Sequence, residues 1–237
     1  MAHWTGQILD SNKDTSQTSA YEDKLEVARK LCEIAKSGQV IGAGSGSTAL
    51  IALSELARRD CEEGLNLSFI PTSREIEWAC LQARVKMVSL NEARPDWCFD
   101  GADEVDASGN MIKGRGGAMY REKLVMSASE IRYILVDESK FVSKLGEKFA
   151  VPVEYDPAAT QLVEKRLRDL GAKELKIRMA GGKDGPVITE SGFAIMDARF
   201  DEITPDMESG ITSIPGVLES GLFSGYNPEF PGHEGKF

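Results

Sequence analysis

The chain has 237 residues, room for one large domain or a main domain with a smaller companion, and its 41% hydrophobic and 28% charged residues are ordinary for a globular protein. A net charge of −10, from 38 acidic against 28 basic residues, argues against a general nucleic-acid or anionic-membrane binder, because both want a basic face. A phosphorylated small molecule needs only a locally basic site and stays open.

No apolar run approaches the ~18 residues of a membrane span, and Met1-Ala2-His3-Trp4 has neither the basic start nor the apolar core of a signal peptide. A cytoplasmic protein is the expectation. Cys32, Cys61, Cys80 and Cys98 never form a CxxC pair and read as free thiols in a reducing compartment. The two histidines, His3 and His233, lie near the termini, which excludes a His-rich metal site and leaves proton transfer to carboxylates and lysines. No metal or cofactor is expected.

Residues 1–20 are polar and read as a loose tail. Apolar positions Leu25, Ala28, Leu31, Ile34 and Ala35 recur at helical spacing, predicting a helix over 21–36. A buried strand over 39–44 follows, then a helix over 47–59 that opens on hydroxyl residues able to cap it. A strand over 67–70 turns through Pro71-Thr72-Ser73 into a helix over 77–83; short strands over 86–90 and 97–99, a helix over 118–129 and a strand over 133–136 complete the pattern. Strands alternating with helices imply a parallel sheet covered on both faces, with ligands bound beyond the carboxyl ends of its strands.

The pattern then changes. A strand-like piece over 151–155, an amphipathic helix over 158–170 and alternating segments over 175–179 and 193–197 suggest an α+β, ferredoxin-like subdomain. The fold predicted is therefore α/β, a Rossmann-like parallel-sheet domain (21–147 and 215–237) carrying that smaller subdomain (148–214). The segments 214–217 and 221–223 are placed back in the main sheet, and the chain after Tyr226 is read as irregular.

Three constellations carry chemistry. Gly42-Ala43-Gly44-Ser45-Gly46-Ser47-Thr48 joins a strand to a helix; glycines let a backbone approach an anion, the helix amides favour negative charge, and Ser45, Ser47 and Thr48 add hydroxyls. Phosphate is the natural guest. A plain strand–helix turn with a serine cap is the bland alternative, and a dinucleotide site would want glycine where Ser47 stands and an acid near Pro71-Thr72-Ser73. The second runs from Asp100 to Glu122. Asp100 and Asp103 flank a Gly-Ala turn at a strand end, Lys113 precedes the turn Gly114-Arg115-Gly116-Gly117, whose amides can face an oxyanion, and Glu122 falls one turn into the next helix. Alone, Glu122 would read equally well as a helix-dipole partner or a surface ion pair with Arg121 or Lys123; Glu104 and Asp106 look like solvated or supporting residues. The third is Asp137-Glu138-Ser139-Lys140 at another strand end, where Lys140 offers a point charge or is simply a surface lysine.

Taken together, Gly44-Ser45-Gly46-Ser47-Thr48, Asp100-Gly101-Ala102-Asp103-Glu104, Lys113-Gly114 with Gly116-Gly117-Ala118, Arg121-Glu122-Lys123, Asp137 with Ser139-Lys140, and Ile214-Pro215-Gly216-Val217 with Gly221-Leu222-Phe223 resemble the type A ribose-5-phosphate isomerase family, in order and spacing, over residues 21 to about 226. The resemblance implies a metal-independent interconversion of D-ribose 5-phosphate and D-ribulose 5-phosphate, in the non-oxidative pentose phosphate branch, by a homodimer or homotetramer that binds no nucleic acid and no membrane. It assigns Glu122 as the general base between C1 and C2, Asp100 as the acid/base group for ring opening, and Asp103 and Lys113 to the reacting oxygens. Ser45, Thr48, Lys24 and Lys140 become phosphate and substrate contacts, with Thr72 and Ser73 nearby. Arg115 departs from the family's glycine, Tyr120 is bulkier than expected, and both tails are atypical. An isomerase for another phosphorylated aldose, or a non-catalytic sugar-phosphate binder on the same scaffold, are the rival readings; a binder has no need of Asp100, Lys113 and Glu122 together.

Overall fold

The computed structural model describes residues 19–233. All but the last two residues of the polar tail predicted over 1–20 lie outside that range, as do His3 and residues 234–237. The elements run α1 (Ser19–Ile34), β1 (Val40–Ala43), α2 (Ser47–Glu63), β2 (Ser68–Pro71), α3 (Arg74–Ala83), β3 (Lys86–Met87), β4 (Trp97–Asp100), β5 (Glu104–Val105), β6 (Met111–Ile112), α4 (Met119–Ala128), β7 (Ile131–Ile134), β8 (Val151–Tyr155), α5 (Thr160–Asp169), β9 (Glu174–Ile177), β10 (Ala194–Arg199), α6 (Met207–Thr212), β11 (Val217–Ser220) and β12 (Leu222–Phe223). They divide into two compact units. One holds the described residues as far as Gly101, Leu124–Asp137 and the stretch from Pro228; the other holds Ala102–Lys123 and Glu138–Asn227.

The first unit is built on a five-stranded parallel sheet of order β3-β2-β1-β4-β7. Its strands are short apolar runs because both faces are buried: Ile41, Phe69, Trp97 and Phe99 sit in one core with Leu31 of α1, Leu53 and Leu56 of α2 and Ile76 of α3. Trp97 can be buried because its indole N–H donates to Gln39 Oε1 at 3.0 Å. The chain winds outward from β1 to β3 and then returns to the other side of β1 as β4. The sheet order therefore reverses between β1 and β4, whose ends at Ala43 and Asp100 lie side by side. That is where a doubly wound sheet leaves room for a ligand. The strand predicted over 86–90 is only two residues long, because Glu92 Oε2 accepts from both Ser89 N–H (2.8 Å) and Ser89 Oγ (2.7 Å) and turns the chain.

The second unit has a four-stranded antiparallel sheet, β11-β8-β10-β9, and a three-stranded one, β12-β6-β5. Val151, Val153, Tyr155, Val163, Leu167, Met196, Ile211 and Leu222 form its core. The expected helix and strands over 148–214 are here, joined by residues 102–123, 138–147 and 215–227, which the sequence pattern grouped with the parallel sheet. The reason is pairing: β11 lies against β8 (Ser220↔Val153) and β12 against β6 (Leu222↔Ile112), so neither returns to the parallel sheet. The return comes later, at Glu229, whose N–H donates to Arg132 O (2.7 Å) and whose carbonyl accepts from Ile134 N–H (2.8 Å) at the free edge of β7. Among the described residues no helix is long and apolar enough to cross a membrane.

Candidate active site

The β1–α2 loop of the first unit is shaped by one close approach. Gly44 N–H donates to Phe99 O at 2.8 Å, pressing the loop onto β4, and a Cβ on Gly44 would overlap the Asp100 carboxyl group and lie 2.5 Å from Asp100 Cα. Only glycine fits. The 3% exposed Asp100 is held there through Oδ1, which accepts from Ser45 N–H (3.1 Å) and Gly101 N–H (2.7 Å). Gly46, the residue before α2, has φ 95° and carries no side chain that could cap the helix start, so the first amides of α2 lack the usual capping hydroxyl or carboxyl of an N-cap residue.

Hydroxyls and one cation gather at this helix end. Thr72 Oγ1 donates to Ala43 O (3.0 Å), which leaves Ser45 Oγ as donor in its 2.9 Å contact with Thr72 Oγ1. Lys24 of α1 reaches across to Ser47 Oγ at 3.0 Å. Lys24, Gly44, Ser45, Gly46, Ser47, Thr72 and Asp100 are thus brought together, with Thr48 in the first turn of α2. Ser73 is placed differently: it is the N-cap of α3, its Oγ accepting from Ile76 N–H at 3.3 Å. Sequence reasoning passed over Glu75, whose Oε2 accepts from Gly46 N–H at 3.3 Å. A carboxylate already sits on the loop read as an anion seat.

In the second unit Lys113 and Glu122 form a buried ion pair, Nζ to Oε2 3.3 Å, with side chains 3% and 6% exposed. Glu122 stands in the first turn of α4, where the helix dipole favours its charge. Consecutive helix residues point about 100° apart, so Lys123 turns away and meets Glu208 (2.7 Å), Glu219 (2.8 Å), Ser220 O (3.1 Å) and Leu222 O (2.8 Å). Glu122 is therefore no surface pair of Arg121 or Lys123. Phe223 underlies both lysines, 5.5 Å from Lys113 Nζ and 4.6 Å from Lys123 Nζ. It was legible only as a strand residue, since nothing in sequence joins positions 113, 123 and 223.

Asp103 Oδ2 accepts from Arg115 N–H at 3.1 Å, while Arg115 Nε stands 3.9 Å from Oδ1 on a side chain 76% exposed. Gly114 (φ 101°) and Gly117 (φ 83°) bound the turn, closed by Gly117 N–H to Gly114 O at 3.0 Å. The amides of Arg115 and Gly117 are thus already engaged, which leaves those of Gly114 and Gly116 as the turn's donors for an oxyanion. Lys140 lies 5.6 Å over the Phe149 ring. Glu104 is not solvated: it is fully buried and accepts from the backbone N–H groups of Gly146 (2.6 Å), Lys148 and Phe149 (2.7 Å), pinning the loop ahead of β8. Among the described residues no group of three or more His, Cys, Asp or Glu could hold a metal ion.

Residues 68–230 match the ribose 5-phosphate isomerase A (phosphoriboisomerase A) family. The chain belongs to that family. The ribose-5-phosphate isomerase A of Methanocaldococcus jannaschii is 43% identical over 203 residues, 85% of this chain and 89% of the relative. The solved structure of that organism's ribose 5-phosphate isomerase A superposes with a TM-score of 0.84 at 42% identity, covering 86% of this chain and 92% of its own. A D-ribose-5-phosphate isomerase in complex with phospho-erythronic acid gives a TM-score of 0.83 at 36% identity, covering 85% and 90%. This member of the ribose 5-phosphate isomerase A family is an enzyme of that type.

Proposed function

We propose that the chain interconverts D-ribose 5-phosphate and D-ribulose 5-phosphate through an enediolate, without a metal, using Glu122 as the general base. The observation that carries the reading is the buried Lys113–Glu122 pair in the first turn of α4. A carboxylate shielded from water beside a lysine is a base held in place, and proton transfer by a positioned side chain contributes about 10²–10⁴-fold. The loop over Gly44, Ser45, Gly46, Ser47 and Thr48, with Lys24, is assigned the phosphate.

Asp100, fixed by two backbone amides, is assigned ring opening and hydroxyl proton transfer. In the open aldose Glu122 removes the C2 proton; the electron pair moves into the C1–C2 bond and the C1 carbonyl oxygen becomes the enediolate oxyanion. Lys113 Nζ and the Gly116 N–H are the donors assigned to that charge, with Asp103 orienting the turn that carries the amide. Glu122 then returns the proton to C1, a proton passes from O2 to O1, and the ketose results. Phospho-erythronic acid, bound by a related isomerase, has a carboxylate at the end of a four-carbon phosphorylated chain, which supports this assignment of an oxyanion next to a phosphate-anchored sugar.

Glu122→Gln tests the reading. It keeps the shape of the side chain and removes the base, so ribose 5-phosphate should still bind while turnover falls by about 10²-fold or more. Near-normal turnover in a folded variant sinks the assignment. Wild-type activity unchanged by a strong chelator is the expected result for a metal-free route; loss restored by a divalent cation overturns that part.

A further inference from the structure

The turn that carries Gly116 is held by one side chain from further along the chain, Arg178, which is itself fixed by Asp197 of the antiparallel sheet. Arg178, just past β9, donates through Nη1 to both Gly114 O (2.9 Å) and Arg115 O (2.8 Å). Its Nε and Nη2 form a two-point bond with the carboxylate of Asp197 on β10, Nε to Oδ2 at 3.0 Å and Nη2 to Oδ1. Arg178 and Asp197 side chains are 19% and 24% exposed, so the pair is largely withdrawn from water. A guanidinium is planar and its donors form a rigid fork; clamped by a carboxylate on one side, it presents Nη1 in one direction only.

In a trans peptide the carbonyl and the N–H point opposite ways. Holding the Gly114 and Arg115 carbonyls on the Arg178 side therefore aims the Arg115 and Gly116 N–H groups to the other side. The first of these meets Asp103 Oδ2 at 3.1 Å. The second is the amide assigned above to the enediolate. With glycine at three of its four positions, this turn has little stiffness of its own.

We infer that Arg178, fixed by Asp197, is a positioning residue that orients the Gly116 amide toward the developing oxyanion. The inference rests on the proposed isomerase reaction. Arg178 contributes to the rate by keeping a dipole from swinging, without touching the sugar. Removing one oxyanion donor costs about 10²–10³-fold in turnover, and letting it rotate should cost part of that.

The test compares Arg178→Met, Arg178→Lys and Asp197→Asn with wild type on D-ribose 5-phosphate, with thermal melting of each. For Arg178→Met the expected result is a turnover about tenfold to a hundredfold lower with KM within about threefold, since the phosphate contacts are elsewhere. Arg178→Lys keeps the charge but cannot span Asp197 and two carbonyls, and should lose about fivefold or more in turnover while melting near wild type. Asp197→Asn should fall between the two. Turnover within twofold of wild type in either Arg178 variant overturns the inference, and Arg178→Lys decides it where Arg178→Met does not fold. A rise in KM with unchanged turnover also overturns it, because that would make Arg178 a binding group. An inactive wild type would refute the isomerase reading; an active wild type with fully active variants refutes only the role of Arg178.

Discussion

Gly44→Ala is the sharpest perturbation of the first unit. The backbone at Gly44 is of a kind any L-residue adopts, so the methyl group is the whole change. It would lie 2.5 Å from Asp100 Cα, against an ordinary carbon contact of about 3.5–4.0 Å. Because backbone is struck as well as the carboxyl group, no side-chain rotation relieves the overlap, and β1 and β4 must part by about 1 Å at their ends. The bonds from Ser45 N–H (3.1 Å) and Gly101 N–H (2.7 Å) to Asp100 Oδ1 then stretch to the limit of hydrogen bonding. Overpacking costs about 1–3 kcal/mol and weakening charged hydrogen bonds adds part of about 1.5–3 kcal/mol each, so a loss of about 3 kcal/mol is expected in urea denaturation. Turnover of ribose 5-phosphate should fall at least tenfold, because the misplaced group is the one assigned to ring opening. Stability within about 0.5 kcal/mol of wild type, with wild-type turnover, would show that the approach of Gly44 to Asp100 is not what holds the loop.

Three other outcomes are expected. Burial raises the affinity of Glu154 for its proton, with Glu219 adding to the rise and bonds from Thr189 Oγ1 and the Tyr120 amide opposing it. The folded state thus holds this proton where the unfolded chain releases it, so this group's stabilisation is greatest at low pH and declines as pH rises above about 4.5 toward the raised folded value. Glu154→Gln should flatten that decline in denaturation measured at several pH values; a slope equal to wild type refutes it. Glu75→Gln removes a negative charge from Gly46 N–H and should lower KM for the sugar phosphate about twofold to fivefold at low salt, less at high salt; an unchanged or higher KM refutes the competition. Burial pushes the thiols of Cys32 and Cys80 up to about 12, whereas Cys61 is exposed, so a thiol reagent at neutral pH should label Cys61 first. Rapid labelling of Cys32 or Cys80 in the folded protein would contradict their burial.

Short-range order was legible in the sequence. Helical spacing at Leu25, Ala28 and Leu31, the apolar run before Asp100 and the glycines ahead of Ser47 each record a local choice of backbone, made by neighbours a few residues apart. The same holds for the strand–turn–helix around Gly44 and for Glu122 in the first turn of α4. Tertiary structure alone decided which of these groups meet. Only the fold turns Glu122 toward Lys113 and Lys123 toward Glu208 and Glu219, although all the charges nearby look alike in sequence. Only the fold seats Phe223 under two lysines, sends β11 and β12 to the antiparallel sheets, and brings Arg178 to the carbonyls of Gly114 and Arg115. Periodicity reports which face of a segment is buried. It carries no information about the partner on the far side, because that depends on strand order and on pairing between residues far apart along the chain.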